Sequence, residues 1–201
     1  FRAFAKSKGV PRASWVVAHT GLARVLRDLG AWHSLAVLER DLVDADGITE
    51  LLGEMLLTCR LPSLILPPDW NGNAWFPRVM VAWDGSNEAT RAIHAALPFL
   101  HAAERVVLLD GGRPHGPEAE GYLPRFDPCV YLARHGVEAE PMCVELSPHN
   151  AGAGLMERAQ RMGADLIVMG AYGHSPARER VLGGTTRQVL KQAQIPAFMQ
   201  H

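Results

Sequence analysis

Two pairs of glycines near the carboxyl end of the chain have the character of a loop that holds phosphate. The first pair, Gly170 and Gly173, follows an apolar run that resembles a buried strand. The second pair, Gly183 and Gly184, precedes a segment of helical pattern. Glycine lets the backbone approach a ligand closely, and the N-terminus of a helix presents unpaired N–H groups and a positive dipole end. The pattern therefore indicates phosphate binding.

A second interpretation of the same residues needs no ligand. The glycines would only form turns, and Thr185 or Thr186 would cap the following helix. Neither a Walker A sequence nor GxGxxG occurs in the chain, which disfavours P-loop NTPases and dinucleotide oxidoreductases. Two glycine pairs alone leave both interpretations open.

The elements that must position this loop alternate between strand and helix, as in a parallel sheet built from βαβ units. Strands are predicted at Arg78–Trp83, Arg105–Leu109, Val137–Glu145, Asp165–Met169 and Ile195–Met199, and helices at Asn87–Leu100, from about 122 to His135, Gly154–Met162 and Thr185–Ala193. Gly163 is a well-placed C-terminal stop for the third helix.

This pattern predicts an α/β fold with a doubly wound, parallel, five-stranded sheet of order 3-2-1-4-5. Ligands of such sheets bind outside the carboxyl ends of the strands, at the point where the strand order reverses. That point lies between the strand that ends at Trp83 and the strand that ends at Met169. Asp84 follows the first of these strands, so its carboxylate is expected to accept a hydrogen bond from a ribose hydroxyl.

The first part of the chain repeats the end of this series. Trp15–Ala18 corresponds to the third strand, Leu35–Leu38 to the fourth and Leu61–Leu66 to the fifth. We therefore divide the chain into residues 1–68, the carboxyl-terminal part of a first domain, a linker at 69–76 and a complete domain at 77–201. The turn-rich stretch from Pro67 to Asn73 suits a linker.

The two middle strands of the first copy have no counterpart in the sequence. We expect the natural polypeptide to be longer by roughly 60–75 residues, judged from the second copy and usual βαβ lengths. Leu35–Leu38 and Leu64–Leu66 are apolar at successive positions, as in strands covered on both faces. Residues 1–68 are therefore expected to pack against the second domain through their remaining strands and helices.

Composition narrows the function classes. The formal net charge is −1, which argues against nucleic-acid binding through a basic field, and no apolar run reaches the roughly 18 residues of a membrane span. Three cysteines without a CxxC motif make a disulfide framework or a cysteine zinc site improbable, so a cytoplasmic location is expected. The histidines lack paired ligand spacing, and Ser175 does not lie in a nucleophile elbow. Neither catalytic nor metal-binding residues are therefore assigned.

The segment from Gly170 to Gly184 resembles the nucleotide-binding signature of the universal stress protein family, G-x-x-G, nine residues, then G-[S/T]. Gly170, Gly173 and Gly183 match, and Gly184 stands where the signature has Ser or Thr, with Thr185 one position later. The resemblance extends over Phe76–His201, and the chain looks like the tandem two-domain type of this family. In tandem members the last strands of the two domains meet, so the resemblance implies that Pro62–Pro67 lies antiparallel to Pro196–His201 in one continuous sheet.

This resemblance implies an adenine-nucleotide alpha-hydrolase-like fold that binds ATP, alone or with Mg²⁺. It implies adenine near Ala82, Trp83 and Asp84 with Met169 beside the base, and phosphates over Gly170, Gly173, Gly183, Gly184 and Thr185. Gly184 removes one hydroxyl donor from the phosphate end, and the bulky Trp83 would either stack on the base or fill its place.

The equivalent loop of the first copy carries Glu39, Asp41, Asp44 and Asp46 and no G-x-x-G, so it is expected to repel phosphate. The first domain would instead pair with the second, in place of a homodimer, although homodimerisation of the chain stays open. The resulting hypothesis is an ATP-binding regulatory module of the stress response, with at most slow hydrolysis. The alternative is a structural or adaptor protein that binds no nucleotide and acts through its dimer-like surface. An enzyme of a related nucleotide-binding superfamily is a third possibility, but synthetase-type signatures are missing.

Overall fold

The computed structural model describes residues 1–40, 45–59, 61–111, 127–144, 146, 150–173 and 184–201. The helices are α1 (Arg2–Ser7), α2 (Leu22–Gly30), α3 (Ala45–Cys59), α4 (Asn87–Ala102), α5 (Pro128–Arg134), α6 (Ala151–Met162) and α7 (Gly184–Gln192). The strands are β1 (Ala36–Glu39), β2 (Ser63–Leu66), β3 (Arg78–Trp83), β4 (Arg105–Asp110), β5 (Ala139–Cys143), β6 (Leu166–Gly170) and β7 (Ala197–Gln200). No helix in these ranges is both long enough and apolar enough to cross a membrane.

These strands form one seven-stranded sheet of order β1-β2-β7-β6-β3-β4-β5. Strands β3 to β7 are parallel and lie in the order 3-2-1-4-5 of a doubly wound domain. The predicted fold class and strand order are therefore confirmed. Strands β3 and β6 are adjacent, with Ala82 paired to Met169, so the point at which the order reverses lies where the sequence placed it.

The sheet continues into the first part of the chain through an antiparallel junction. In β2 and β7, Ser63 pairs with Met199, Leu64 with Phe198, and Ile65 with Ala197. Strand β1 then pairs in parallel with β2. The predicted antiparallel contact between these strands is confirmed, and it makes the two parts share one sheet.

Alternating side chains of β3 enter two cores, one on each face of the sheet. Val79 and Val81 pack with apolar residues of α4 and α5, whereas Met80 packs with residues of α3, α6 and α7. All three side chains are 0% exposed, as expected for a parallel sheet covered by helices on both faces. On the second face α3 of the first part packs against α7, and the guanidinium of Arg40 donates a hydrogen bond to the carbonyl of Leu190 at 3.1 Å.

Two helix ends form as their sequences predict. Ser86 is the N-cap of α4, and its Oγ accepts a hydrogen bond from the N–H of Ala89 at 3.1 Å. Gly163 follows α6 in the left-handed conformation with φ 61°, which costs glycine little because it lacks a Cβ. These caps fix the entry into α4 and the exit into β6.

Two predictions about the first part are wrong. Trp15–Ala18 is not a strand, and Trp15, Val16 and Val17 are 71%, 65% and 77% exposed. A strand needs a neighbour for its backbone hydrogen bonds, and the neighbour that β4 provides to β5 in the second copy has no equivalent in this chain. For the same reason β1 is an edge strand, and Val37 is 56% exposed rather than covered on both faces.

Some boundaries differ from those predicted by a few residues. The third strand of the complete copy is Ala139–Cys143, shorter than Val137–Glu145, and the helix before it begins at Pro128. Asp127 caps that helix, its Oδ1 accepting hydrogen bonds from the N–H groups of Cys129 and Val130. The glycine- and proline-rich stretch of sequence that follows β4 lies outside the described residues from 112 to 126.

Candidate functional site

The turn after β3 places Asp84 at the carboxyl edge of the sheet. Its Oδ1 accepts a hydrogen bond from the N–H of Ser86 at 3.0 Å, and Gly85 between them has φ 81°. This side-chain-to-backbone bond is a common way for aspartate to stabilise a tight turn. The Asp84 side chain is exposed, so the carboxylate both holds the turn and faces solvent at the predicted ribose position.

Trp83 lies on the other face of the sheet from the neighbouring Ala82. Its side chain is 7% exposed, packs in the core with α4, and its indole N–H donates to Oγ1 of Thr90 at 3.4 Å. To stack on a base, the indole would have to leave this core. Ala82 and its β6 neighbour Met169 belong to the opposite core, where Ala82 is half-buried and Met169 is 5% exposed.

Gly170 is in close contact with the first turn of α4. A Cβ at this position would lie 2.5 Å from the backbone nitrogen of Ala89 and 2.8 Å from the carbonyl carbon of Glu88. Backbone atoms cannot rotate away as a side chain can, so only glycine fits. The glycine at position 170 is thus explained by helix packing, as well as by any ligand.

Gly173 faces the same helix through side chains rather than backbone. A Cβ there would lie 3.0 Å from Oε2 of Glu88, 3.2 Å from Oγ of Ser86 and 3.3 Å from Cβ of Ser86. The loop after β6 therefore lies directly against the turn after β3. The two predicted parts of the site, the Asp84 turn and the Gly170–Gly173 loop, are brought together.

Tyr172 joins this loop to the start of α7. It adopts a left-handed conformation with φ 58°, and its backbone N–H donates to Oγ1 of Thr186 at 3.1 Å. Thr186 is 3% exposed. The second of the two threonines thus holds the loop in place, and it does so from the first turn of α7.

The phenol of Tyr172 is in an apolar setting. Its buried Oη has no hydrogen-bond partner among the described residues, and the ring packs against the core on the α7 face. Burial raises the pKa of Tyr172 to about 12, an effect that the positive charge of Arg187 partly opposes. The phenol is therefore uncharged at neutral pH.

The end of β7 supports the loop from beneath. The N–H of Ala171 donates to the carbonyl of Gln200 at 2.8 Å, and Nδ1 of His201 lies 2.9 Å from the carbonyl of Ala171. A carbonyl only accepts, so Nδ1 carries the proton in this contact. Ala171 is 0% exposed, so burial and these hydrogen bonds hold the beginning of the loop that continues with Tyr172 and Gly173.

The remaining predicted phosphate contacts lie at the beginning of α7. Gly184 is exposed, and a Cβ there would have no heavy atom of the described residues within 4 Å. Thr185 is half-buried. Gly183 lies outside the described residues, as do Ser175, Asp41 and Asp44 of the sequence analysis. The first turn of α7 therefore has room for a longer side chain at position 184.

Glu88 and Tyr172 of this edge were not singled out from the sequence, whereas Ser86 and Thr186 were expected only as helix caps. The sequence signal for Ser86 is its position as a polar residue before a helix. Thr186 differs from Thr185 only in the direction that its side chain takes from the first turn of α7.

The described residues contain no group of three or more His, Cys, Asp or Glu side chains arranged to hold a metal ion.

Comparison with known proteins shows what this chain is similar to in sequence and fold. Residues 132–200 match the model of the Universal stress protein family. Universal stress protein Slr1230 of Synechocystis sp. (strain ATCC 27184 / PCC 6803 / Kazusa) is 28% identical over 139 residues, which are 68% of this chain and 46% of that protein. The chain thus spans about half the length of this curated relative.

Solved structures share the fold over nearly the whole chain. A universal stress protein from Archaeoglobus fulgidus DSM 4304 has a TM-score of 0.71 at 17% identity, covering 98% of this chain and 73% of that one. A functionally unknown protein from Pseudomonas aeruginosa PAO1 has a TM-score of 0.57 at 15% identity, covering 98% and 74%. The chain has the α/β fold of universal stress proteins, and its residues 132–200 are similar to the model of that family.

Proposed function

We propose that the carboxyl edge of β3 and β6 binds an adenine nucleotide, with ATP as the ligand to test first, and that the chain is a regulatory module of the stress response. One observation carries the proposal. The Gly170–Gly173 loop lies between the first turns of α4 and α7, at the point where the strand order reverses. Two helix N-termini with a glycine loop between them suit an anionic group.

Each predicted residue except Trp83, which packs in the opposite core, has a place in this proposal. Ala82 and Met169 would lie towards the base, and the exposed carboxylate of Asp84 would accept a hydrogen bond from a ribose hydroxyl. The phosphates would lie over the backbone N–H groups of Gly173, Gly184 and Thr185, together with Gly183. Any Mg²⁺ would arrive bound to the phosphates. Gly170 would contribute by letting α4 approach the loop.

Titration calorimetry with ATP, in the presence and absence of Mg²⁺, tests the site with the variant Gly173→Val. A valine side chain would occupy the space between the loop and Ser86, so we expect ATP binding to be lost. Circular dichroism would verify that the variant is folded. Gly21→Val is the matched control, because Gly21 is exposed and a Cβ there meets no atom within 4 Å.

The possible outcomes distinguish an error in the location of the site from an error in the proposed function. If the wild-type chain binds ATP and Gly173→Val binds it equally well, the loop is not the site. If the wild-type chain takes up neither ATP nor adenosine, the nucleotide proposal fails as a whole.

An adaptor role without a nucleotide is a second candidate, and exposed apolar side chains favour it. Trp15, Val16 and Val17 are consecutive and are 71%, 65% and 77% exposed, and contiguous exposed apolar surface marks sites of protein contact. The dimer-like edge of β7 does not serve this role in the chain, because β2 occupies it. The same titration separates the two functions, since an adaptor of this kind gives no heat with ATP.

A further inference from the structure

Glu88 is the acidic side chain that lies closest to the glycine loop in the described structure. It is in the first turn of α4 and is half-buried. A Cβ added to Gly173 would lie 3.0 Å from Oε2 of Glu88. A Cβ added to Gly170 would lie 2.8 Å from the carbonyl carbon of Glu88. Both glycines of the loop are therefore in contact with this one residue.

The charges around Glu88 make the loop less favourable to anions than its glycines suggest. Asp84 adds an exposed carboxylate from the preceding turn. Within the described part of the chain, none of the ion pairs includes Glu88. A carboxylate in the first turn also interacts favourably with the positive end of the helix dipole. The attraction of the α4 N-terminus for an anionic ligand is therefore weaker.

A phosphate bound over Gly173 would therefore approach a like charge. Like charges repel in proportion to the number of charges and inversely with distance. The penalty is greatest for a triphosphate and is nil for a nucleoside. Gly184 has no side-chain donor with which to offset it.

We infer that Glu88 is a specificity-determining residue of this site, and that it favours adenine ligands with few negative charges over ATP. The inference rests on the proposed function, because it concerns the ligand of the same loop. Glu88 acts on the affinity for phosphate groups and leaves the affinity for the nucleoside part unchanged.

The experiment compares the variant Glu88→Gln with the wild-type chain, using adenosine, AMP and ATP as probes in calorimetry. Glutamine keeps the size of the side chain and removes its charge. We expect ATP affinity to rise about fivefold to thirtyfold and adenosine affinity to change by less than about twofold, with AMP between them. The gain for ATP should shrink at roughly 0.5 M salt because the charges are then screened.

Glu138→Gln is the matched control, since it removes the same charge from an exposed residue that precedes β5 at the opposite edge of the sheet. It should leave every affinity within about twofold of wild type. Thermal unfolding of both variants would verify the fold. A general loss of stability would lower all three affinities together, and it would not change their ratio.

An unchanged or lower ratio of ATP to adenosine affinity in Glu88→Gln overturns the inference. A lower ATP affinity would mean that Glu88 assists the triphosphate, for example through Mg²⁺. If adenosine binds and the ratio does not move, this inference fails while the proposed function stands. If neither variant nor wild type binds any of the three probes, both fail.

Discussion

The backbone N–H of Tyr172 donates a 3.1 Å hydrogen bond to Oγ1 of Thr186, and this bond links the loop after β6 to the first turn of α7. Thr186 is 3% exposed, so its hydroxyl is a fixed part of the loop's support. The loop and the first turn of α7 would carry the phosphate end of the proposed site. The geometry of the loop therefore depends on a side chain that the ligand itself need not contact.

Replacing Thr186 with valine should destabilise the protein by about 1–2 kcal/mol, because the Tyr172 N–H loses its acceptor in a partly buried position. Valine keeps the shape of the side chain, so packing is little changed. Chemical denaturation measures the difference. Thr185→Val is the control, and its half-buried side chain should cost less. Equal losses for both variants would contradict the role given to Thr186.

Stability should fall at alkaline pH through Tyr172. Its pKa in the folded protein is about 12, above the ordinary value of about 10, so the unfolded chain loses this proton first. The contribution is complete below pH 10 and is lost as pH rises through 12. Tyr172→Phe should remove this part of the pH dependence.

Urea denaturation of Tyr172→Phe at several pH values between 9 and 12 measures that effect, with the half-buried Tyr131→Phe as control. Other groups also titrate in this range, so the difference between variant and wild type is the quantity of interest. The same alkaline slope in Tyr172→Phe and wild type would show that the phenol is not responsible.

Restoring a hydroxyl at position 184 should strengthen ATP binding if the nucleotide proposal holds. Gly184→Ser has room among the described residues, since none of their heavy atoms lies within 4 Å of a Cβ there. A hydrogen bond to a charged phosphate is worth about 1.5–3 kcal/mol, or roughly tenfold or more in affinity. Gly184→Ala is the control for helix stabilisation alone. A gain that is equal in both variants would exclude a hydroxyl contact.

The antiparallel junction should determine whether the chain is monomeric. A chain reduced to residues 75–201 exposes the outer edge of β7, including Phe198, which is 1% exposed in the full chain. We expect it to dimerise through β7 or to lose solubility, because unpaired strand edges associate. Light scattering after gel filtration measures the mass.

Residues 21–201 provide the matched control, because this shorter deletion removes α1 and leaves every strand of the sheet in place. It should behave as the full chain does. A well-behaved monomer of residues 75–201 would count against the importance of the junction.

The sequence by itself determined the features that depend on neighbouring residues along the chain. Apolar runs marked the strands of the complete copy, Gly163 marked the end of α6, and the internal repeat marked the strands β1 and β2. These patterns are local, or they compare one part of the sequence with another. Strand order followed from them because parallel crossovers allow few arrangements.

Only the tertiary structure decided the features that depend on contacts between distant residues. Trp15–Ala18 has the composition of a strand and lacks a partner, so it forms none. Trp83 turns towards α4, and Gly170 is required by the backbone of α4 rather than by its own turn. The local sequence pattern shows neither the direction of Trp83 nor the requirement for glycine at position 170. Both depend on contacts with α4, and only folding brings α4 close to these residues.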